Sequence, residues 1–234
     1  MTTELQPVTC SSCGSQFAVE IPAEGEPYRE MMLRMAMSGP VECTDCEKKH
    51  VQEITAAKIL AAESAKQTSW QTFCPDEFRK EINWQIKSAN RANYTKVMAW
   101  YYGPRGLLVM GPPGSCKTRF VWKLLKCEWD AGRTIRALGH TKFRIDASAL
   151  AAADSARFKV WVDDLCKAQI FFLDDLGKGR ATPLSEECLH GILEVRTQRN
   201  LPTLFTSNYV IEKKDSYEDG LERRIIEFVE PIQF

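Results

Sequence analysis

Gly111-Pro112-Pro113-Gly114-Ser115-Cys116-Lys117-Thr118 is the stretch that decides the fold of this 234-residue chain. The apolar run Leu107-Leu108-Val109-Met110 precedes it, and the helical pattern Phe120, Val121, Leu124, Leu125 follows it. Strand, glycine-rich turn and helix together are the context that a phosphate-binding P-loop requires. The glycines let backbone N–H groups curl around a phosphate, and Arg119 carries the turn into the helix. Lys117 would reach the β- and γ-phosphates, and Thr118 would place its hydroxyl on Mg²⁺. The motif ordinarily has glycine before the lysine, where this chain has Cys116. A Cβ there limits the backbone to conformations a non-glycine tolerates. Cysteine is small, so the stretch reads as a variant P-loop. A chance Gly/Pro turn would leave the adjacent Lys-Thr unexplained.

A second signal lies further on. Ala168-Gln169-Ile170-Phe171-Phe172-Leu173 reads as a buried strand and ends in Asp174-Asp175. Acids at the C-terminal end of an apolar strand are what a Walker B element needs, and open α/β sheets place their ligands at that edge. Asp174 would hold Mg²⁺ through its water shell. Asp175 stands where many such ATPases carry a glutamate that orients the attacking water. Aspartate is one methylene shorter, which points to slow turnover. By itself the acid pair would also suit a strand-end turn.

Leu201-Pro202-Thr203-Leu204-Phe205-Thr206-Ser207-Asn208 is a third element, a short strand with a polar end. In a parallel sheet that end lies beside the P-loop, where Asn208 could sense the γ-phosphate or polarise the lytic water. Asparagine after a strand is also a common turn residue. Near the C-terminus, Leu221-Glu222-Arg223-Arg224-Ile225-Ile226 reads as a helix with two arginines. Either arginine could serve a neighbouring subunit's nucleotide as an arginine finger, or pair with Glu222 or Glu227 on a solvated face.

In this order and over this span, the four elements resemble the AAA+ ATPases. They are most similar to the DnaC/DnaI-type replicative helicase loaders and the related IstB transposition helpers. The residues that carry the resemblance are Tyr102-Gly103-Pro104-Arg105-Gly106-Leu107-Leu108, the P-loop, Phe172-Leu173-Asp174-Asp175-Leu176-Gly177 and Leu201 to Asn208, and it covers roughly residues 75–234. It implies ATP/ADP and Mg²⁺ as cofactors and Lys117, Asp174, Asp175, Asn208 and Arg224 as the catalytic set. Gly111 to Arg119 would bind the nucleotide, and Thr118 and Asp174 the magnesium. Arg224 is preferred to Arg223 because it directly precedes Ile225-Ile226, as the family's finger precedes its apolar pair. The wider superfamily adds a helical lid after such a core, and none is expected here before Phe234. Loaders of this type also lack it.

At 44% hydrophobic residues the chain can bury one full core and a small satellite. Net charge is zero, so whole-chain charge argues for no nucleic-acid partner and any such surface must be local. The start, Met-Thr-Thr-Glu-Leu-Gln-Pro, has no signal pattern, and no apolar run approaches membrane-spanning length. A cytoplasmic protein without a membrane partner is expected. Nine cysteines, an odd number, argue against a disulfide framework. Four are organised as two Cys-x2-Cys knuckles, Cys10 with Cys13 and Cys43 with Cys46. Two knuckles complete a closed tetrahedral Zn²⁺ site. The insert, residues 14–42, exceeds the usual ribbon interval, and it reads as a strand at Phe17-Ala18-Val19-Glu20-Ile21 and a helix from Tyr28 to Met37. A redox dithiol or unrelated thiols are the other readings. Cys74, Cys116, Cys127, Cys166 and Cys188 have no ligand spacing and read mostly as small core residues.

The expected architecture is α/β: a P-loop AAA+ parallel sheet with helices on both faces, preceded by a small zinc-ribbon-like module. Residues 1–50 form the zinc module, 51–74 a helix and linker, and 75–234 the ATPase domain. Residues 51–67 read as a helix that breaks around Thr68-Ser69-Trp70 and Cys74-Pro75. Residues 91–102 read as a helix with Val97, Met98 and Tyr101 on one face, and Thr182-Pro183 as the start of another. Lys117, Arg119, Lys123, Lys126, Arg133, Arg136, Lys142 and Arg144, with Lys178 and Arg180, could face single-stranded DNA in a ring or spiral of such modules. Phe143 would then be available to stack on a base. Solvated helix surface is the plainer reading for most of them. The resemblance implies an N-terminal module that grips a replicative helicase. A transposition helper acting on duplex DNA, and a nucleotide-dependent switch with negligible turnover, stay open.

Overall fold

The computed structural model describes residues 3–38, 40–84, 90–177, 182–208 and 225–234. They form two compact units, Met1–Ser69 and Trp70–Phe234.

In the first unit, β1 (Thr3–Thr9) and β2 (Gln16–Pro22) pair antiparallel, with Thr9 opposite Gln16. The hairpin loop between them carries the first cysteine knuckle. Helix α1 (Arg29–Ser38) follows, and α2 (Thr44–Phe73) begins at the second knuckle. The expected strand at residues 17–21 and helix at 28–37 are present, and β1 is an addition. Helix α2 outruns the expected 51–67 at both ends and passes through Thr68-Ser69-Trp70 without a break. Pro75, with no N–H to give, follows its end. Among the described residues of this unit only Val8, Cys10 and Ile21 are buried apolar groups.

The second unit is built on a five-stranded parallel sheet. Its strands are β3 (Gly106–Met110), β4 (Ile135–Gly139), β5 (Ile170–Leu176), β6 (Thr203–Ser207) and β7 (Val229–Gln233), in the order β4-β5-β6-β3-β7. Strand side chains alternate between faces, and the sheet is apolar on both. Leu107, Val109, Phe172 and Leu204 pack into one cluster with Phe120, Val121, Leu124 and Leu125 of α5 (Lys117–Asp130). Leu108, Met110, Phe171, Leu173 and Phe205 pack into a second. That second cluster takes Phe143 from α6 (His140–Ala153), Leu165 from α7 (Ser155–Lys167) and Leu189 and Ile192 from α8 (Pro183–Gln198). Two short helices precede the sheet, α3 (Asp76–Arg79) and α4 (Arg91–Met98). Helix α4 stops short of the expected 102. Val97 is buried in the core, but Tyr101 is 81% exposed and shares no buried face with it.

Close packing explains one glycine. A Cβ on Gly106 would lie 1.9 Å from the Thr203 carbonyl oxygen, so β3 and β6 can meet there only without a side chain. Helix α8 starts as expected: Thr182 accepts from the Ser185 N–H in a capping box, and Pro183 occupies the first turn. No helix among the described residues is long and apolar enough to cross a membrane.

Candidate functional site

All strands of the sheet run the same way, so β3, β5 and β6 end on one edge. The loop after β3 and the start of α5 form a cradle there. Gly114 has φ 81°, a left-handed conformation that glycine takes without strain. The Ser115 hydroxyl closes the turn by donating to the Pro112 carbonyl at 2.8 Å. The first hydrogen bond of α5 runs from Phe120 N–H to Cys116 C=O. The N–H groups of Lys117, Thr118 and Arg119 therefore have no intrahelical acceptor, and such donors suit an anion.

Cys116 also has positive φ, 69°, at the N-cap of α5. Left-handed backbone is strained by roughly 1–2 kcal/mol in a residue with a Cβ. The half-buried thiol packs against the edge of the core and makes a weak hydrogen-bond contact to the Gly114 carbonyl at 3.8 Å, which offsets only part of this. Cys116→Gly is therefore expected to preserve or raise nucleotide affinity and to raise the melting temperature. Thermal melting with an ATP titration checks this. A lower melting point together with lost affinity would show that the thiol is needed.

The Lys117 ammonium is buried and ringed by oxygen. It donates to the carbonyls of Gly111 at 2.7 Å and Pro112 at 2.9 Å, and to Asn208 Oδ1 at 3.1 Å. Burial lowers its pKa from the usual lysine value, and the nearby charges of Asp175 and Asp174 oppose that. Asn208 uses its other end to donate from Nδ2 to Asp175 Oδ1 at 3.2 Å. It thus links the P-loop lysine to the second acid.

Asp174 lies within β5, as do Asp175 and Leu176, so the strand runs past the expected end at Leu173. Its Oδ1 accepts from the Thr118 hydroxyl at 2.8 Å and from the Thr206 hydroxyl. Burial raises the Asp174 pKa, and these two hydroxyl bonds pull it back down. Lys117, Thr118, Asp174, Asp175 and Asn208 are thereby brought to one place. Thr118 and Asp174, a hydroxyl beside a carboxylate, suit Mg²⁺, a hard cation that takes oxygen ligands and keeps several waters. The N–H groups and the lysine suit phosphate oxygens. The residues fit Mg²⁺ and a nucleoside triphosphate.

Other expectations fare differently. The Arg119 side chain leaves the cradle and donates to the Glu77 carbonyl at 2.8 Å, so a phosphate would meet only its backbone. Phe143, expected to be free for a base, is fully buried and packs on Trp161. Much of the basic stretch pairs locally: Lys123 with Glu81, Lys126 with Asp130, Arg133 with Glu128, Arg136 with Asp164 and Lys142 with Asp146. Lys178, Arg180, Arg223 and Arg224 lie outside the described residues.

Two contributors had no signal of their own in the sequence. Thr206 stood in the quoted strand with no role. His140, at the start of α6, lines a cleft of about 520 Å³ together with Asp174 and Asp175. The register that sets Gly139 beside Asp174 across β4 and β5 brings it there.

In the N-terminal unit, Cys10, Cys13, Cys43 and Cys46 have their sulfurs within 4.8 Å of one another. The Cys13 and Cys43 sulfurs are 3.8 Å apart. A tetrahedral site with Zn–S of about 2.3 Å has edges of roughly that length. The first knuckle is shaped by Gly14, at φ 72°, whose N–H returns to the Cys10 carbonyl at 3.0 Å. The Cys43 N–H donates to Cys10 Sγ at 3.3 Å. That bond, with others from the first knuckle, draws the Cys10 thiol down to about 6. Cys13 is also lowered, first by the Ser15 hydroxyl, whereas Cys46 is pushed up, first by its bond to Cys13. The neighbouring thiols, amides and the Ser15 hydroxyl thus favour thiolate at Cys10 and Cys13 and oppose it at Cys46. A soft divalent cation that accepts four thiolates fits this set.

No protein-family model matches the chain, and no curated protein matches it. Solved structures do. AMPPCP-bound DnaA from Aquifex aeolicus aligns with 69% of this chain and 50% of its own, at 12% identity and TM-score 0.53. DnaI aligns with 69% of this chain and 91% of its own, at 21% identity and TM-score 0.50. The chain thus spans half the length of that DnaA chain. Its parallel sheet and flanking helices share the fold of those DnaA and DnaI structures, and a four-cysteine cluster lies near the N-terminus.

Proposed function

We propose that this chain is an ATP-hydrolysing DNA replication protein that loads a replicative helicase onto single-stranded DNA. The observation that carries the reading is the junction of Lys117, Asn208 and Asp175 beside Thr118 and Asp174 at one sheet edge. Backbone N–H groups of the loop and Lys117 would hold the β- and γ-phosphates, and Thr118 and Asp174 the Mg²⁺. The bound cation supplies charge neutralisation on the transferring phosphoryl group. Asp175 would take a proton from water, and Asn208 would keep that carboxylate turned toward the phosphate end of Lys117. The AMPPCP in the DnaA relative supports the nucleotide assignment. Arg224 would reach a neighbouring copy's nucleotide in a ring or spiral, and Lys178 and Arg180 would face DNA.

The N-terminal unit, with Zn²⁺ on its four cysteines, would dock the helicase. Tyr28, Met31, Met35 and Met37 in and beside α1 are more than half exposed, and methionine-rich apolar surface suits protein contact. The cytoplasm is the compartment such a role requires.

Asp175→Asn tests the enzyme. It preserves shape and the neighbourhood of Asn208 but removes the carboxylate charge. ATP binding is expected to persist while hydrolysis falls roughly 10²- to 10⁴-fold, the usual contribution of a general base. Hydrolysis at the parent rate would remove the role given to that carboxylate. Capture of a purified replicative helicase by the full chain tests the loader, and no capture in any nucleotide state would leave only an ATPase.

A further inference from the structure

Strands β5 and β6 are out of step at the acid pair. Leu173 pairs with Phe205 and Leu176 with Ser207, so two residues, Asp174 and Asp175, face one residue, Thr206. Such a bulge leaves one residue without its ladder hydrogen bond and re-aims side chains. Here the odd residue is Asp175, which sits at φ 57°. Its N–H does not go begging: it donates to Thr206 Oγ1 at 2.9 Å. The same hydroxyl donates its proton to Asp174 Oδ1. Thr206 is fully buried.

A threonine hydroxyl has one proton and two lone pairs, and an ionised carboxylate only accepts. The direction of both bonds is therefore fixed. Asp174 takes the proton, and Asp175 N–H takes a lone pair. Thr118 also donates to Asp174, but its hydroxyl is itself a proposed Mg²⁺ ligand. Thr206 has no second task.

We infer that Thr206 is a positioning residue. Its hydroxyl bridges the β5 bulge and presents Asp174 to the metal and Asp175 to the water as two separate tools. This rests on the Mg²⁺-nucleotide reading of the site. A bulge partner of this kind acts as an outer-shell ligand, and removal of such partners lowers metal affinity ~10- to 100-fold.

The test is Thr206→Val, which keeps the shape and loses both bonds, against Thr206→Ser, which keeps them. The readout is binding of a fluorescent ATP analogue as Mg²⁺ is titrated. The Mg²⁺ concentration that half-saturates binding is expected to rise ~10-fold or more in Thr206→Val and to return to the parent value in Thr206→Ser. If Thr206→Val fails to fold, Thr206→Cys replaces it, since a thiol is a weak donor and acceptor. A buried residue with only a packing role would show a lower melting temperature and an unchanged Mg²⁺ midpoint, and that result overturns the inference. A parent chain that binds no nucleotide at any Mg²⁺ concentration overturns the site reading along with it.

Discussion

Lys117→Ala is expected to abolish measurable ATP binding while the sheet stays folded. Lys117 holds its ammonium inside the ring of P-loop oxygens. Hydrogen bonds to a charged group are worth about 1.5–3 kcal/mol each, so losing two to phosphate oxygens removes about 3–6 kcal/mol. That is roughly 10²- to 10⁴-fold in affinity. A second effect has the same sign. With the ammonium gone, the carbonyls of Gly111 and Pro112 turn unpaired negative ends toward the phosphates. The fold should survive, because the buried neighbours of this loop in α5, Phe120, Val121 and Leu124, are untouched. Titration with a fluorescent ATP analogue, alongside a thermal melt, reads both. Parent-like affinity would mean that the loop binds no phosphate in the proposed way. The same variant also tests the trans role of Arg224. Arg224→Ala should bind ATP and not hydrolyse it, and mixing it with Lys117→Ala should restore part of the activity. No rescue in co-assembled protein would make Arg224 a surface residue.

What the sequence disclosed and what it hid divide along a physical line. The P-loop, the acids after Phe171-Phe172-Leu173 and the polar end of β6 are local patterns, and a short window contains each. The parallel sheet followed from them, since a strand joined to the next strand by a helix must run parallel to it. The bulge at Asp174-Asp175 was not legible. It is a mismatch between two strands far apart in sequence, and neither strand shows it alone. Thr206 stayed unnoticed for the same reason, although it stood beside Asn208. Strand β7 was missed because Val229-Glu230-Pro231-Ile232-Gln233 looks like a frayed end. Its proline is tolerable because, among the described residues, β7 is an edge strand paired only with β3. Phe143 was misjudged because charges surround it in sequence, between Lys142 and Arg144, while α6 turns it onto the sheet. Arg196 in α8 had no role in the sequence reading, and it is fully buried. It donates to the carbonyls of Leu165, Ala168 and Pro202 and to the Thr203 hydroxyl. Burial lowers its pKa to about 10, so it keeps its proton at neutral pH. A buried cation of this kind is tolerable because backbone oxygens meet its donors.

Removal of the metal from the N-terminal unit should unfold residues 1–50 and leave the nucleotide-binding unit intact. The expectation follows from how little else holds that unit. Val8, Cys10 and Ile21 are its only buried apolar residues among those described, and one of the three is a proposed ligand. Burying two aliphatic side chains contributes about 3–6 kcal/mol. Two aliphatic side chains are a small core for a segment of this length, and so small a unit needs a metal or other cross-link to hold its fold. Structural zinc on four thiolates contributes on the order of 10 kcal/mol, and that energy is folding energy. Cys43→Ser should act like chelation, because it removes both a ligand and the geometry that pairs Cys43 with Cys13 at 3.8 Å. Limited proteolysis with and without chelator should show a protected core and a newly cleaved N-terminus. ATP binding should be unchanged, and capture of a replicative helicase should be lost. Elemental analysis is the most direct check. Purified protein without stoichiometric zinc, in which Cys10, Cys13, Cys43 and Cys46 all react as free thiols, would remove the site. Zinc that can be stripped without loss of helicase capture would leave the metal as a fold-holding element and move the docking surface elsewhere.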